Sequence, residues 1–167
     1  MEEKESQARR LVTKYMWWSM GAGLVPIPVW DLALITGIQV KMAKDLADHY
    51  EIPFSKDRAK LILSSLVGSM VPGVVAYGPI GTMLKFIPIV GPFAGAVAMP
   101  VFAGASTYAV GKVFIQHFES GGTLLDFEPA KVREYFRQEF EKGKEIASQM
   151  KGEKGKESFT PPNTAKA

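Results

Sequence analysis

A chain of 167 residues is long enough for one domain with a real core, and a net charge of +3 is too small to predict a nucleic-acid partner. The absence of cysteine excludes disulfides and thiolate metal sites. Apolar residues make up 47% of the chain and charged ones 22%, yet the two kinds are segregated: 61–84 and 86–111 carry no Asp, Glu, Lys or Arg, and only Lys85 separates them.

Residues 1–14 are charged and include Glu2, Glu3 and Glu5, whereas a secretory signal needs a basic start and an apolar run. Membrane contact is therefore expected from the mature chain. Residues 3–20 predict a first helix with Leu11, Tyr15 and Trp18 at helical spacing and Ala8 behind them. Arg9, Arg10 and Lys14 fall on its other faces. Trp17 and Trp18 beside this basic cluster suit a membrane interface, and equally the core of a packed bundle. Gly21, Gly23, Pro26 and Pro28 then break the chain.

A second helix is expected over 29–50, with Asp31 in its first turn, where the helix dipole favours an anion. Ile35, Ile38, Met42 and Leu46 form its apolar face, and Lys41, Lys44, Asp45 and Asp48 its polar side. After a linker over 51–54, the Ser55 hydroxyl can cap a third helix that starts near Lys56. That helix leads into the first charge-free stretch, which Gly68, Pro72, Gly73, Gly78, Pro79 and Gly81 interrupt. A fourth helix is expected over 92–118 with a kink at Pro100, ended by Gly121 and Gly122.

Asp126 or Glu128 is expected to cap the last helix, with Pro129 in its first turn. Val132, Tyr135, Phe136, Phe140 and Ile146 make one stripe. The opposite face mixes Arg133, Arg137 and Lys144 with Glu134, Glu141 and Glu145, which predicts packing on protein rather than on anionic lipid. Beyond Lys151 little remains to bury. The expected organisation is a core over 1–120 containing a membrane hairpin at 61–111, an amphipathic helix at 123–150, and a disordered tail at 151–167.

Each charge-free stretch exceeds the roughly 20 residues a spanning helix needs, although Pro72, Pro79, Pro88 and Pro92 argue against two straight spans. Of the 20 Lys and Arg residues, all but Lys85 lie outside the hairpin. Two spans would place 19 on one side and one on the other, while a third span over 15–40 would leave 15 against five. The positive-inside rule thus favours a two-span hairpin in the inner membrane with both termini cytoplasmic. Gly91 and Gly95 form a GxxxG step, and Ala103, Thr107 and Gly111 extend a row of small residues suited to close helix packing.

No catalytic set is visible. In 104–113 the Gly111-Lys112 pair imitates a P-loop, but Ser106 stands where its first glycine belongs and Val113 where its hydroxyl belongs. Gly21 and Gly23 fail as a dinucleotide loop because Pro26 takes the third glycine's place. His49 and His117 lie far apart and are expected at helix ends rather than on a metal. Asp31 is either an intramembrane carboxylate or, the more frequent case, a helix-start acid at the interface. Ser64, Ser65, Ser69, Ser106 and Thr107 have no base partner and read as packing residues. No cofactor and no metal are expected.

The run Gly23-Leu24-Val25-Pro26-Ile27-Pro28, followed by Asp31, Gln39 and Met42, resembles the first half of the YcjF-type family, unknown-function family six-nine-seven. Ile87-Pro88-Ile89-Val90-Gly91, then Gly95, Thr107, Gly111 and Phe118, resemble its second half, although Ile89 stands where a glycine is expected. The resemblance implies a bacterial all-α, membrane-associated bundle built around a central Gly/Pro-kinked apolar hairpin. It further implies a non-catalytic adaptor or anchor, with an Era-like GTPase as a separate cytoplasmic partner and membrane lipid as its surroundings. Two rival readings remain: an oligomeric channel whose small-residue rows pack copies together, and a soluble helical bundle with a lipid pocket.

Overall fold

The computed structural model describes residues 2–23, 30–70 and 95–157. These form five helices and, among the described residues, no strand: α1 (Glu2–Ala22), α2 (Trp30–His49), α3 (Lys56–Gly68), α4 (Gly95–Glu119) and α5 (Pro129–Glu157). Glu2, Glu3 and Glu5 occupy the first turn of α1, where the dipole stabilises anions, and Glu5 pairs with Arg9 one turn on. Ser55 caps α3 as its sequence position predicts, its Oγ accepting from the Arg58 N–H at 3.5 Å.

α4 is the central element, flanked by α1 on one side and α5 on the other, with α2 and α3 completing the bundle. α1 and α5 run antiparallel to it, and α2 runs parallel. Val12 packs at Gly111 and Met20 at Gly104, while Gly143 of α5 lies against Ala105 and Ala147 against Gly104. The core includes Tyr15, Met42, Leu46, Leu63, Phe114 and Phe136, all fully buried. Burial stabilises each such large side chain by roughly 1.5–3 kcal/mol over its exposed state. These positions come from five helices, so hydrophobic burial ties all five into the main cluster.

The expected apolar face of α2 is the observed one: Ile35, Met42 and Leu46 are buried and Ile38 packs against the core. The face of α1 is rotated from its expected position. Tyr15 and Ala8 are buried as expected, but Val12, Met16, Ser19 and Met20 share the interior with them, and Trp18 is half exposed. α1 packs on α2 and α4 together, so it buries a wider arc than a single Leu11–Tyr15–Trp18 stripe.

Of the two acids expected to cap α5, Asp126 instead closes the preceding loop, its Oδ1 accepting from the Thr123 N–H at 2.6 Å and from Thr123 Oγ1 at 2.7 Å, and Glu128 stands directly before Pro129. The last helix runs on past Lys151 to Glu157 in spite of Gly152 and Gly155, with Ala147 and Met150 anchoring it against the bundle. The central part of the expected hairpin, 71–94, lies outside the described residues, as do 158–167. Among the described residues no helix is long and apolar enough to cross a membrane.

The seam between α1 and α4 depends on Gly111. A Cβ there would stand 2.4 Å from Val12 Cγ2, so the two helices approach closely only because this side chain is missing. Gly111→Ala should therefore lower unfolding stability by about 1–3 kcal/mol through overpacking. Adding Val12→Ala should recover part of that loss. Gly21→Ala, where nothing lies within 4 Å, should be neutral or slightly stabilising in the same denaturant titration.

Candidate functional site

The antiparallel order gives the bundle two unlike ends. At one end the N-terminus of α1 meets the α2–α3 loop: Lys4 pairs with Glu51 at 3.8 Å, and the Lys4 carbonyl lies 2.8 Å from His49 Nε2. Tyr50 Oη donates to Glu119 Oε1 at 2.9 Å, which brings in the C-terminus of α4. His117 Nε2 approaches the Thr123 carbonyl at 2.8 Å and Asp126 Oδ1 at 3.6 Å. This end is closed by short loops and ion pairs.

On α1 to α4 the other end is nearly without charge, while the C-terminal part of α5, with Lys151, rises beside it. Ala22 of α1, Ile35 of α2, and Met99 and Ala103 of α4 cluster there. Gly23, Trp30 and Gly95 are the described residues that border 24–29 and 71–94, and α3, running back from the α2–α3 loop, brings Met70 to the same end. From Lys14 to Lys41 the chain carries one charged residue, Asp31, and from Lys60 to Lys112 it again carries one, Lys85. Both charge-poor excursions leave and re-enter through this end.

A buried polar network pins the helices just below it. The Gln39 side-chain amide donates to Ser106 Oγ at 3.1 Å and to Thr107 Oγ1 at 3.3 Å. Thr107 Oγ1 donates to Ser19 Oγ at 2.7 Å, and Ser106 Oγ donates to the Ala103 carbonyl at 3.1 Å. All four side chains are buried, and they come from α1, α2 and α4. None is titratable, so the network offers no general acid or base. It fixes register instead.

The singled-out residues separate by place. Thr107 and Gly111 face α1 inside this chain, so that part of the small-residue row packs within one copy. Trp17 packs partly buried against Met16, Met20, Ala147 and Met150. Trp18 is 50% exposed, stacks edge-on with Tyr15 at 5.6 Å, and lies under Lys14 Nζ at 5.2 Å. Gly95 opens α4, and Asp31 falls in the first turn of α2. Pro26, Pro28, Lys85, Pro88 and Gly91 lie outside the described residues, as does the Asp31 side chain.

Sequence reading missed Glu139, which is 3% exposed on α5. Its Oε1 accepts from Lys142 Nζ at 2.5 Å and its Oε2 has no partner. Only its register on the Phe136–Phe140 stripe could have exposed it. Burial, and then the Glu139 charge, push up the neighbouring Tyr108 and Tyr135 phenols. Among the described residues no group of His, Cys, Asp or Glu could hold a metal ion.

Comparison with known proteins agrees with the residues that carried the resemblance. The family described as a domain of unknown function (DUF697) matches residues 1–145, and the chain belongs to it. It is also 37% identical over 151 residues to a protein of Magnetospirillum gryphiswaldense named Magnetosome membrane protein 22, an alignment that covers 88% of this chain and 75% of the relative. No solved structure matches it.

Gln39→Leu would leave Ser106 and Thr107 without a buried donor, and should cost about 1–3 kcal/mol in denaturant unfolding. The closed end should be sensitive to alkali. Burial, then the hydrogen bond to Glu119, raises the Tyr50 phenol above its ordinary 10.0, and burial, then the bond to Asp45, raises Tyr15. A raised phenol contributes stability that is complete below the unfolded value and lost as pH climbs toward the folded one. Tyr15→Phe/Tyr50→Phe should flatten the fall of unfolding free energy with pH above about pH 10. An unchanged slope would remove these two phenols as its cause.

Proposed function

We propose that this member of the DUF697 family is a non-catalytic module of the bacterial inner membrane, the charge-poor end of α1 to α4 facing the bilayer and its closed charged end facing the cytoplasm. One observation carries the reading: two sequence excursions, each holding a single charged residue, return to the same end of one bundle. Hydrocarbon tolerates such segments and water disfavours them. The relative's name, a magnetosome membrane protein, supports membrane association.

In this reading the charge-poor part between Lys60 and Lys112 is what meets the bilayer, and the charged ends of the helices face the cytoplasm. The closed end then offers a partner the charged groups Lys4 and Glu119 at helix ends and Glu51 and Asp126 on short loops. An Era-like GTPase is the partner class implied by the family resemblance. No nucleotide-binding loop occurs in the sequence, so nucleotide chemistry would come from that partner.

The natural chain has no cysteine, which makes single-site labelling direct. Lys85→Cys should react with a membrane-impermeant maleimide added outside intact spheroplasts, whereas Gly152→Cys on exposed α5 should react only after lysis. Labelling of both positions only after lysis would mean that 71–94 does not cross. Recovery of the chain in the soluble fraction would overturn the membrane reading. Extraction with urea and with alkaline carbonate gives the complementary test.

A further inference from the structure

Lysine marks each border between the charged and charge-poor parts. Lys14 on α1, Lys41 on α2, Lys60 on α3 and Lys112 on α4 are the residues at which the two excursions begin and end. At about 1.5 Å per residue from the closed end, they fall within roughly 10 Å of one another along the bundle axis. Contacts agree with that level. Lys14 Nζ and Lys41 Nζ each lie 5.8 Å from the centre of the Tyr15 ring, and Val12 meets Gly111 next to Lys112.

Lys14, Lys41 and Lys60 are exposed and Lys112 is half buried. Lys41 shares Asp45 with Tyr15, at 3.4 Å from its Oδ2. No ion pair involves Lys14, Lys60 or Lys112 among the described residues. Above this level the large exposed apolar side chains are Trp18 and Leu34, at 50% and 48% exposure, while Leu61, 70% exposed, stands beside Lys60 at the level itself. They stand on α1, α2 and α3, and Leu34 shares a helical stripe with Lys41. Apolar groups above a row of long cationic side chains make the profile of a surface seated in a headgroup layer, where lysine stems lie along apolar surface and the ammonium reaches the polar zone.

We propose that Lys14, Lys41, Lys60 and Lys112 form a collar that seats this chain on anionic phospholipid headgroups, with Leu61 at its level and Trp18 and Leu34 entering the boundary above it. The proposal rests on the membrane-facing reading and adds a lipid class and a depth. Each lysine near an anionic surface strengthens binding roughly fivefold, so the four together contribute on the order of several hundredfold.

The test is flotation of the full chain with vesicles of phosphatidylcholine alone, or with about 30% phosphatidylglycerol. The wild type should prefer the anionic vesicles. Lys14→Gln/Lys41→Gln/Lys60→Gln/Lys112→Gln should abolish that preference, while Lys4→Gln/Lys56→Gln/Lys131→Gln/Arg133→Gln, which removes equal charge near the closed end, should keep it. Circular dichroism checks folding, and Lys14→Gln and Lys60→Gln alone should each cost about fivefold if the quadruple variant unfolds. Equal flotation of wild type on both vesicles would overturn the collar and leave the membrane reading standing. Equal loss in both quadruple variants would also overturn it, leaving net charge as the cause. Absence of flotation with either vesicle would sink the membrane reading and the collar with it.

Discussion

The close antiparallel contact of α1 with α4 governs the rest of the molecule. It needs Gly111 beneath Val12, and the Ser19–Thr107–Gln39 hydrogen bonds hold it in register. A slip of one residue along that seam would bury a Cβ where none fits and strand three hydroxyl or amide groups in a dry interior. With the seam fixed, the C-terminus of α1 and the N-terminus of α4 must share an end. The loop after α2 then returns α3 toward the same end, and the polarity of the whole bundle follows.

Hydrophobic burial supplies most of the cohesion, but it is not selective about register. Leu, Phe and Met side chains tolerate small shifts, since volume matters more than identity in such cores. The buried polar groups are the selective part. Gln39 reaches two hydroxyls on α4 from α2, and Thr107 reaches Ser19 on α1. Gly143 plays a comparable part on the other flank, because a Cβ there would stand 2.9 Å from the Ala105 backbone. Glu139, buried with one oxygen unpaired, works against the same flank and marks it as the less satisfied side of α4.

Much of the fold was legible because helix signals are local. Ser55, the Gly121–Gly122 stop and the Ile35–Met42–Leu46 stripe each declare themselves within a few residues. The burial of Thr107 and Gly111 followed from their spacing. The α1 face was misjudged because two neighbours, not one, bury it, and no local pattern records how many helices will pack on a given element. Glu139 hid among the alternating charges of α5. The Tyr15–Asp45 and Tyr50–Glu119 bonds join residues far apart in sequence and have no local signature.

One consequence of α5 bears on how such a bundle can meet a bilayer. Ala147 packs at Gly104 and Met20, so the outer face of α5 rises beside the charge-poor half of α4. That face carries exposed Glu145, and Lys144 paired with Glu141 at 2.6 Å. Hydrocarbon reaching that height would have to desolvate both signs of charge, which costs several kcal/mol per ion. The flank made by α4 and α5 is therefore held at the level of water or headgroups. The apolar groups Trp18, Leu34 and Leu61 lie instead on α1, α2 and α3, so contact with a bilayer must be lopsided. A bundle seated on the surface, tilted toward those three helices, satisfies both constraints; one sunk whole into the membrane satisfies neither.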